Sequence, residues 1–435
     1  MKLRAKLCIG MSLAPTWLSG EGWRRPDSGI EGLYSSDFAL EIARRAEAAH
    51  LDFVFRPDTY YLPLEPLEQS FGFSSLDATL MMAAIARETS RIGLLTTIST
   101  TFSAPYMAAR QLMSLHWLSR GRAGCNLVTA LSGNENFGLP EMPTSNQRYA
   151  RAAEFIQVMR ALWSSFPAEA LRIDRAAGQY ADTTLIHPID HKGADFAVKG
   201  PLNLPEFPGP RLPLMQAGGS VTGMDFAGSV ADMVFAQTPD MAAALAMRQE
   251  LSARARAHGR APRDLRLLPG LSLYLGRTRA EARDLFLSTH ARVDRAQRIA
   301  RVKAATGLDL TGWEGDRRIT AADLPDTPPA ARSPTQAAAL AAAIRRETPR
   351  VDDLLARPEV LASLHWQVIG TVEDAVSEIT RWFEAGAVDG FVAVLGGAPS
   401  SLDLTLGELI PRLAEAGLFR SAYSGTTFLE HLEQD

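Results

Sequence analysis

The chain has 435 residues, 46% of them hydrophobic and 22% charged, with a formal net charge of −4. That balance belongs to an ordinary globular protein with ample core; it excludes disorder, and it leaves no basic footprint for nucleic acid. No window approaches the ~20 apolar residues of a membrane helix, and the opening MKLRAKLCIGMSLAPTW lacks the continuous apolar run and cleavage site of a secretory leader, so a cytoplasmic protein is expected, with Cys8 and Cys125 as buried free thiols.

Ala5–Met11 reads as a first strand, Ser36–His50 as an amphipathic helix and Asp52–Arg56 as a second strand. Helix Leu76–Thr89, strand Ile92–Ser99, helix Pro105–Leu118, strand Ala123–Thr129 and helix Asn146–Ser165 follow. After an excursion rich in Pro, Gly and His at Pro167–Pro210, strands Leu212–Gln216, Asp232–Ala236, Leu265–Leu275 and Gly390–Leu395 alternate with helices Ser220–Ser229, Pro239–His258, Thr278–His290, Val372–Ala385 and Leu404–Ala416. A second excursion, Ala304–Ile369, contains the Pro- and Thr-rich stretch Leu324–Pro334 and an alanine-rich helix, Gln336–Arg346.

Strand–helix alternation means a parallel α/β sheet, and eight strands point to a closed (β/α)8 TIM barrel. An open doubly wound sheet usually stops nearer six strands and announces its cofactor with a glycine-rich first turn, absent here. The expected organisation is one domain over residues 1–435, with insertions at about 167–210 and about 304–369. The second has the size of a lid over a barrel mouth.

The common catalytic motifs are missing. There is no P-loop, and Gly218-Gly219-Ser220-Val221-Thr222 ends in Thr where a nucleophile elbow requires Gly. His187 and His191 are four apart but straddle the region of Pro188, with no zinc motif around them, so no metal is expected. What remains is polar chemistry at strand ends, where parallel barrels bind ligands. The run Ile92–Ser99 turns polar at Thr96, Thr97 and Ser99, and Asn126 stands inside an apolar strand, where it must find partners or cost ~1–3 kcal/mol of desolvation. Asp58 follows the second strand and either accepts from a ligand N–H or caps the next turn. Gln216-Ala217-Gly218-Gly219-Ser220 leads from a strand into a helix N-terminus; it is a phosphate cradle or an ordinary N-cap. Tyr149 lies in the first turn of a long helix beside Arg148, a buried aromatic by default, and His116 and Trp117 near a helix end suit core or capping roles.

Asp58, the TTIST strand, AARQLMSLHWLSRGRAGCNLVT, QRYARAAEF, HKGADFAVKGPLN, QAGGS, IGTVEDAV, AGAVDGF and LFRSAYSGTTFLEHL together resemble the bacterial-luciferase-like two-component flavin monooxygenases. Within them the likeness is to the group of the nitrilotriacetate, dibenzothiophene-sulfone, pristinamycin and long-chain alkane enzymes. The resemblance runs nearly end to end and implies a TIM barrel with insertions, assembled as a homodimer or homotetramer. It implies FMN used as FMNH2, supplied by a separate NAD(P)H:flavin reductase, and a flavin 4a-peroxide that oxygenates a small organic substrate. Carried over by position, it makes Asp58, Thr97, Tyr149, Gly219 and Ser220 FMN contacts, with Asn126 near the isoalloxazine ring and a candidate for catalysis.

Against the family pattern, Pro57 stands where relatives commonly have Ala, Cys125 where they have Trp, and Ser145 where they often have His. The usual Asp-His pair is His116-Trp117, and Arg120 replaces a glycine. Two rival readings share the fold: a flavin- or deazaflavin-dependent reductase that consumes no oxygen, and a flavin-binding barrel without catalysis.

Overall fold

The structure, a computed structural model, describes residues 6–68, 70–72, 74–326, 334–361 and 365–433. Nine parallel strands build the main sheet: β1 Cys8–Ser12, β2 Phe53–Phe55, β3 Gly93–Ser99, β4 Ala123–Val128, β5 Leu214–Ala217, β6 Met233–Ala236, β7 Arg266–Leu275, β8 Trp366–Gly370 and β9 Gly390–Leu395. Eight of them close a ring, β1-β2-β3-β4-β5-β6-β7-β9 and back to β1. These are the eight strands expected from the sequence; Ala5, at the start of the first, lies outside the described residues.

β8 was not expected, because it falls in the stretch assigned to the second insertion. β7 is ten residues long, enough for two neighbours in series on one edge: Arg266–Pro269 pair with β6, and Leu271–Leu275 pair with β8. Outside the ring lie α1 Ser36–Ala48, α2 Ala78–Glu88, α3 Pro105–Leu118, α4 Ser145–Ser164, α5 Val221–Val230, α6 Met241–Ala257, α7 Arg279–Thr289, α8 Arg295–Thr306, α9 Pro334–Glu347, α10 Val372–Glu384 and the short α11 Phe428–Glu433. Side-chain caps start many of them, among them Asp77 for α2, Thr144 for α4 and Ser220 for α5. The helix expected at Leu404–Ala416 is instead Pro399–Leu404, a π-helical stretch Thr405–Leu409, and Ile410–Glu415. Pro411 has no N–H to continue a regular ladder there. No helix among the described residues is long and apolar enough to cross a membrane.

The period-2 alternation of the strands separates two cores. Outward residues such as Val54, Leu94, Cys125 and Leu214 pack on the helices. Inward ones, Phe53, Phe55, Leu95, Met215, Met233, Leu268 and Val392, fill the barrel, and Phe428 from α11 joins them. Phe428 occupies space that two glycines leave: a Cβ at Gly93 would lie 2.6 Å from its ring and one at Gly124 2.5 Å. The N-terminal end is closed further by a repeated device. Asp52, Asp232 and Asp389 each stand just before a strand, accept the N–H of Ile9, Leu214 or Leu267 on the neighbouring strand, and pair with Arg420, Arg211 or Arg248.

The first excursion carries two hairpins, one of which, His191–Lys192 with Ala197–Val198, is pinned to α4. Glu154 accepts from His191 Nε2 and from the N–H groups of Asp195 and Phe196, all at 2.9 Å. His116 and Trp117 have structural roles here: their ring N–H groups donate to the carbonyls of Pro210 and Pro205, tying the excursion to α3. The second excursion is led in by α8, a helix not expected from the sequence, and its described part has its own hydrophobic core of Val302, Leu308, Leu310, Ile319, Leu340 and Ile344. Of the Leu324–Pro334 stretch, residues 327–333 lie outside the described residues.

Candidate active site

The C-terminal strand ends bring most of the singled-out residues to the barrel mouth. Thr97 and Asn126 are register partners on β3 and β4 and both point inward, 3% and 2% exposed. The Thr97 hydroxyl donates to the Arg56 carbonyl at 2.7 Å, so its oxygen can only accept from the Asn126 amide, whose Nδ2 lies 3.2 Å away. That order fixes the carboxamide and leaves its Oδ1 buried without a partner. An inward-facing acceptor with nothing to accept from is the mark of a ligand position rather than of a satisfied core.

Asp58 sits in the loop after β2. One oxygen caps the turn, accepting from Thr59 N at 2.8 Å, so the capping role is real. Burial pushes its pKa up, offset by the Thr59 and Ala78 N–H groups, with the nearby Asp77 charge adding to the rise. Arg56, next to it, donates to the Leu13 carbonyl at 2.8 Å, and burial holds its pKa below the usual range.

A second cluster forms where β5 hands over to α5. Ser220 is the N-cap: its Oγ accepts from Gly223 N at 3.1 Å, which leaves the hydroxyl proton to donate outward. The Tyr149 hydroxyl reaches the same turn from α4, 3.5 Å from Gln216 Nε2. Glycine is required around that hydroxyl, since a Cβ would lie 2.9 Å from it at Gly218 and 2.6 Å at Gly223. Gly219 lies between Gly218 and the cap. Gln216 is fully buried, donates to the Ala217 carbonyl at 2.9 Å, and keeps Oε1 without a partner. Arg148 donates one arm to the Pro143 carbonyl, while its buried Nε has no partner.

The structure therefore brings Thr97 with Asn126, and Tyr149 with Ser220 and Gly218. Gly223 and Arg56 stand beside these residues and were not singled out in the sequence, and Gln216 was read there only as the first residue of the turn. The signal for Gln216 was available, a carboxamide in an apolar strand, as for Asn126. Among the departures, Cys125 faces the helix layer and is fully buried there, so its smaller volume than Trp alters wall packing and not the barrel interior. Burial pushes its thiol pKa well above the usual range, which leaves it an inert apolar group. Ser145 opens α4, one turn before Tyr149. Among the described residues, no group of three or more His, Cys, Asp or Glu is placed to hold a metal ion.

A parallel eight-stranded barrel with unsatisfied polar atoms at its C-terminal mouth and a glycine-lined helix N-terminus after its fifth strand has the architecture of an α/β-barrel enzyme. Residues 24–389 match the family model of luciferase-like monooxygenases, and the chain belongs to that family. It is 32% identical over 427 residues to dibenzothiophene-sulfone monooxygenase of Rhodococcus erythropolis, covering 94% of this chain and 92% of that one. It is 32% identical over 424 residues to nitrilotriacetate monooxygenase component A of Aminobacter aminovorans, with the same coverage. Among solved structures, a riboflavin lyase with a modified FMN superposes at a TM-score of 0.82 with 28% identity, over 98% of this chain and 95% of that one. The protein is thus an oxidoreductase of the flavin-dependent monooxygenase class.

Proposed function

We propose that this chain is the oxygenase component of a two-component system, taking FMN in its reduced form from a separate NAD(P)H-dependent reductase and using O2 to oxygenate a small organic substrate. In this reading the chain is one barrel domain acting in the cytoplasm as a homodimer or homotetramer, with the 304–369 insertion as its lid.

One observation carries the reading. The turn after β5 offers the first N–H groups of α5, the Ser220 hydroxyl proton and the Tyr149 hydroxyl in a cradle that side chains at positions 218 and 223 would fill. Such a helix N-terminus, with aligned dipoles and unpaired donors, suits a phosphate dianion. The fit extends to the ring: Asn126 Oδ1 is a buried acceptor for a ligand N–H, and Asp58 lies in the loop after β2, which pairs with the Thr97 strand β3. Bound reduced flavin supplies the electrons and the oxygen chemistry. The chain's own part is to hold the phosphate at Gly219, Ser220 and Tyr149, to orient the ring at Thr97 and Asn126, and to keep water from the mouth.

Ser220→Ala combined with Gly219→Val is expected to weaken FMN binding more than tenfold in a flavin-fluorescence titration, and an unchanged titration removes the phosphate assignment. The reaction itself is read by mixing the protein anaerobically with reduced FMN and then with oxygenated buffer. An absorbance transient outliving that of free reduced FMN supports the oxygenase. Reoxidation at the free-solution rate favours the reductase or the non-catalytic barrel.

A further inference from the structure

The mouth also carries information about what it accepts, and this inference rests on the oxygenase reading above. Three rings from three successive loops meet there: Tyr60 after β2, Phe102 after β3 and Phe137 after β4. Phe102 and Phe137 stack face to face, centroids 4.4 Å apart and planes within 6°, and Tyr60 packs edge-on to Phe137 at 5.6 Å. Asn136 Nδ2 donates to the Tyr60 carbonyl at 2.8 Å, which locks two of the loops together. Although packed, the wall is not covered: Phe137 is 44% exposed and Leu131, on the same loop, 65%.

The loops that carry these rings are acidic. Residues 57–86, 100–109, 129–147, 218–232, 237–247 and 396–411 follow six of the ring strands, and they contain no Lys, Arg or His. They do contain carboxylates, including Asp58, Asp77, Glu135 and Glu141. Arg151 and Lys199 line the cleft beside Phe102, Arg151 paired with Asp195 at 3.4 Å, and the other arginines bordering the mouth are engaged. Arg24 pairs with Glu21 at 2.6 Å, Arg25 with Asp27 at 2.9 Å, and Arg277 with Glu408, while Arg56 and Arg148 are turned onto the carbonyls of Leu13 and Pro143. An anionic substrate laid on the ring stack would lose water among loops that carry carboxylates, with the cations set to the side of the stack. A flat apolar one would find an exposed ring surface that water solvates poorly.

We propose that the substrate of this site is an uncharged, flat, apolar molecule of fused-ring type, bound against the Phe137–Phe102 stack in preference to polycarboxylates of the nitrilotriacetate kind. The test is equilibrium dialysis of the protein, with and without FMN, against two probes: dibenzothiophene sulfone, which is neutral and tricyclic, and nitrilotriacetate. The sulfone is expected to bind saturably and at least tenfold more tightly than nitrilotriacetate. Phe137→Ala should weaken the sulfone at least fivefold, and Phe137→Leu, which keeps apolar volume without a flat face, by less; neither should move the FMN titration. Nitrilotriacetate binding as tightly as the sulfone overturns the proposal, as does failure of the sulfone to saturate. It is also overturned if Phe137→Ala shifts FMN affinity instead, which would make the wall part of the cofactor site. Saturable sulfone binding by a protein that fails to titrate FMN would sustain the wall and remove the cofactor reading, so the two failures are separable.

Discussion

The two ends of the barrel are built on opposite principles. At the N-terminal end, among the described residues, the carboxylates are all engaged by the fold and only single nitrogens of Arg420, Arg248 and His431 are left over: Asp52, Asp232 and Asp389 are each paired with an arginine and a strand N–H, and Arg122 donates five hydrogen bonds, four of them to carbonyls. Burial still brings the Arg122 pKa down to about 10, so those acceptors hold a charge that the interior disfavours. At the mouth, Asn126 Oδ1, Gln216 Oε1 and the Nε atoms of Arg56 and Arg148 are buried and unpartnered. What sets the mouth apart is its two amide oxygens, buried acceptors whose unmade hydrogen bonds cost stability and which a ligand N–H would complete. One end is therefore spent on holding the ring closed, and the other on what the ring holds.

The largest expected effect lies at the closed end. Asp52→Ala strips Arg420 of its carboxylate and Ile9 of its acceptor, which is expected to cost about 3–5 kcal/mol. Urea or thermal unfolding reads it, and a loss below ~1 kcal/mol would show that the floor clamp contributes little.

Next comes pH. His431 in the floor donates to the Arg91 carbonyl at 2.7 Å, and burial pushes its pKa down to about 4 from an ordinary 6.5. His290 and His365 are depressed to about 4 by burial as well. The unfolded chain takes up these protons near pH 6.5 and the folded chain only near 4, so stability is full above 6.5 and falls as pH drops through that window. His431→Gln, retaining a donor, should flatten the fall by ~2 kcal/mol at pH 5; an unaltered pH profile of the melting temperature would mean that the ring is protonated in place.

The mouth should behave in the reverse sense. Tyr149→Phe is expected to weaken FMN about tenfold, ~1.4 kcal/mol, with the melting temperature of the free protein unchanged. Smallest in stability is Asn126→Leu, which removes an unsatisfied oxygen and should change unfolding by no more than ~1 kcal/mol while altering the reoxidation of bound reduced flavin. If that variant binds flavin and reoxidises it as the parent does, Asn126 is not beside the ring.

The ring was legible because each of its strands is a short apolar run ended by a polar or glycine residue, and the alternation with helices leaves little topological choice. β8 was not legible: Trp366–Gly370 hydrogen-bonds along only half of one neighbour, and no pattern within five residues announces a partner five α-helices away in sequence. At the site, Asn126 and the QAGGS turn stood out because each violates its local pattern. The direction of Cys125 was set by alternation and could have been read from Asn126 beside it, since adjacent strand residues face opposite ways. The capture of Arg56 by the Leu13 carbonyl could not, because it depends on how the loop after β1 crosses the strand end.

The insertion whose residues Val302, Leu308, Leu310, Ile319, Leu340 and Ile344 make a separate core gives this architecture a form of modularity. The chain leaves the end of β7 through α7 and α8 to reach it, and its return, β8, pairs with the C-terminal half of that same strand, so both ends of the excursion come back to one strand. Doubling the length of such an excursion costs only about 0.6 kcal/mol in closure entropy. A lineage can therefore exchange the whole segment, and with it the molecules admitted, while the ring and its floor are inherited intact.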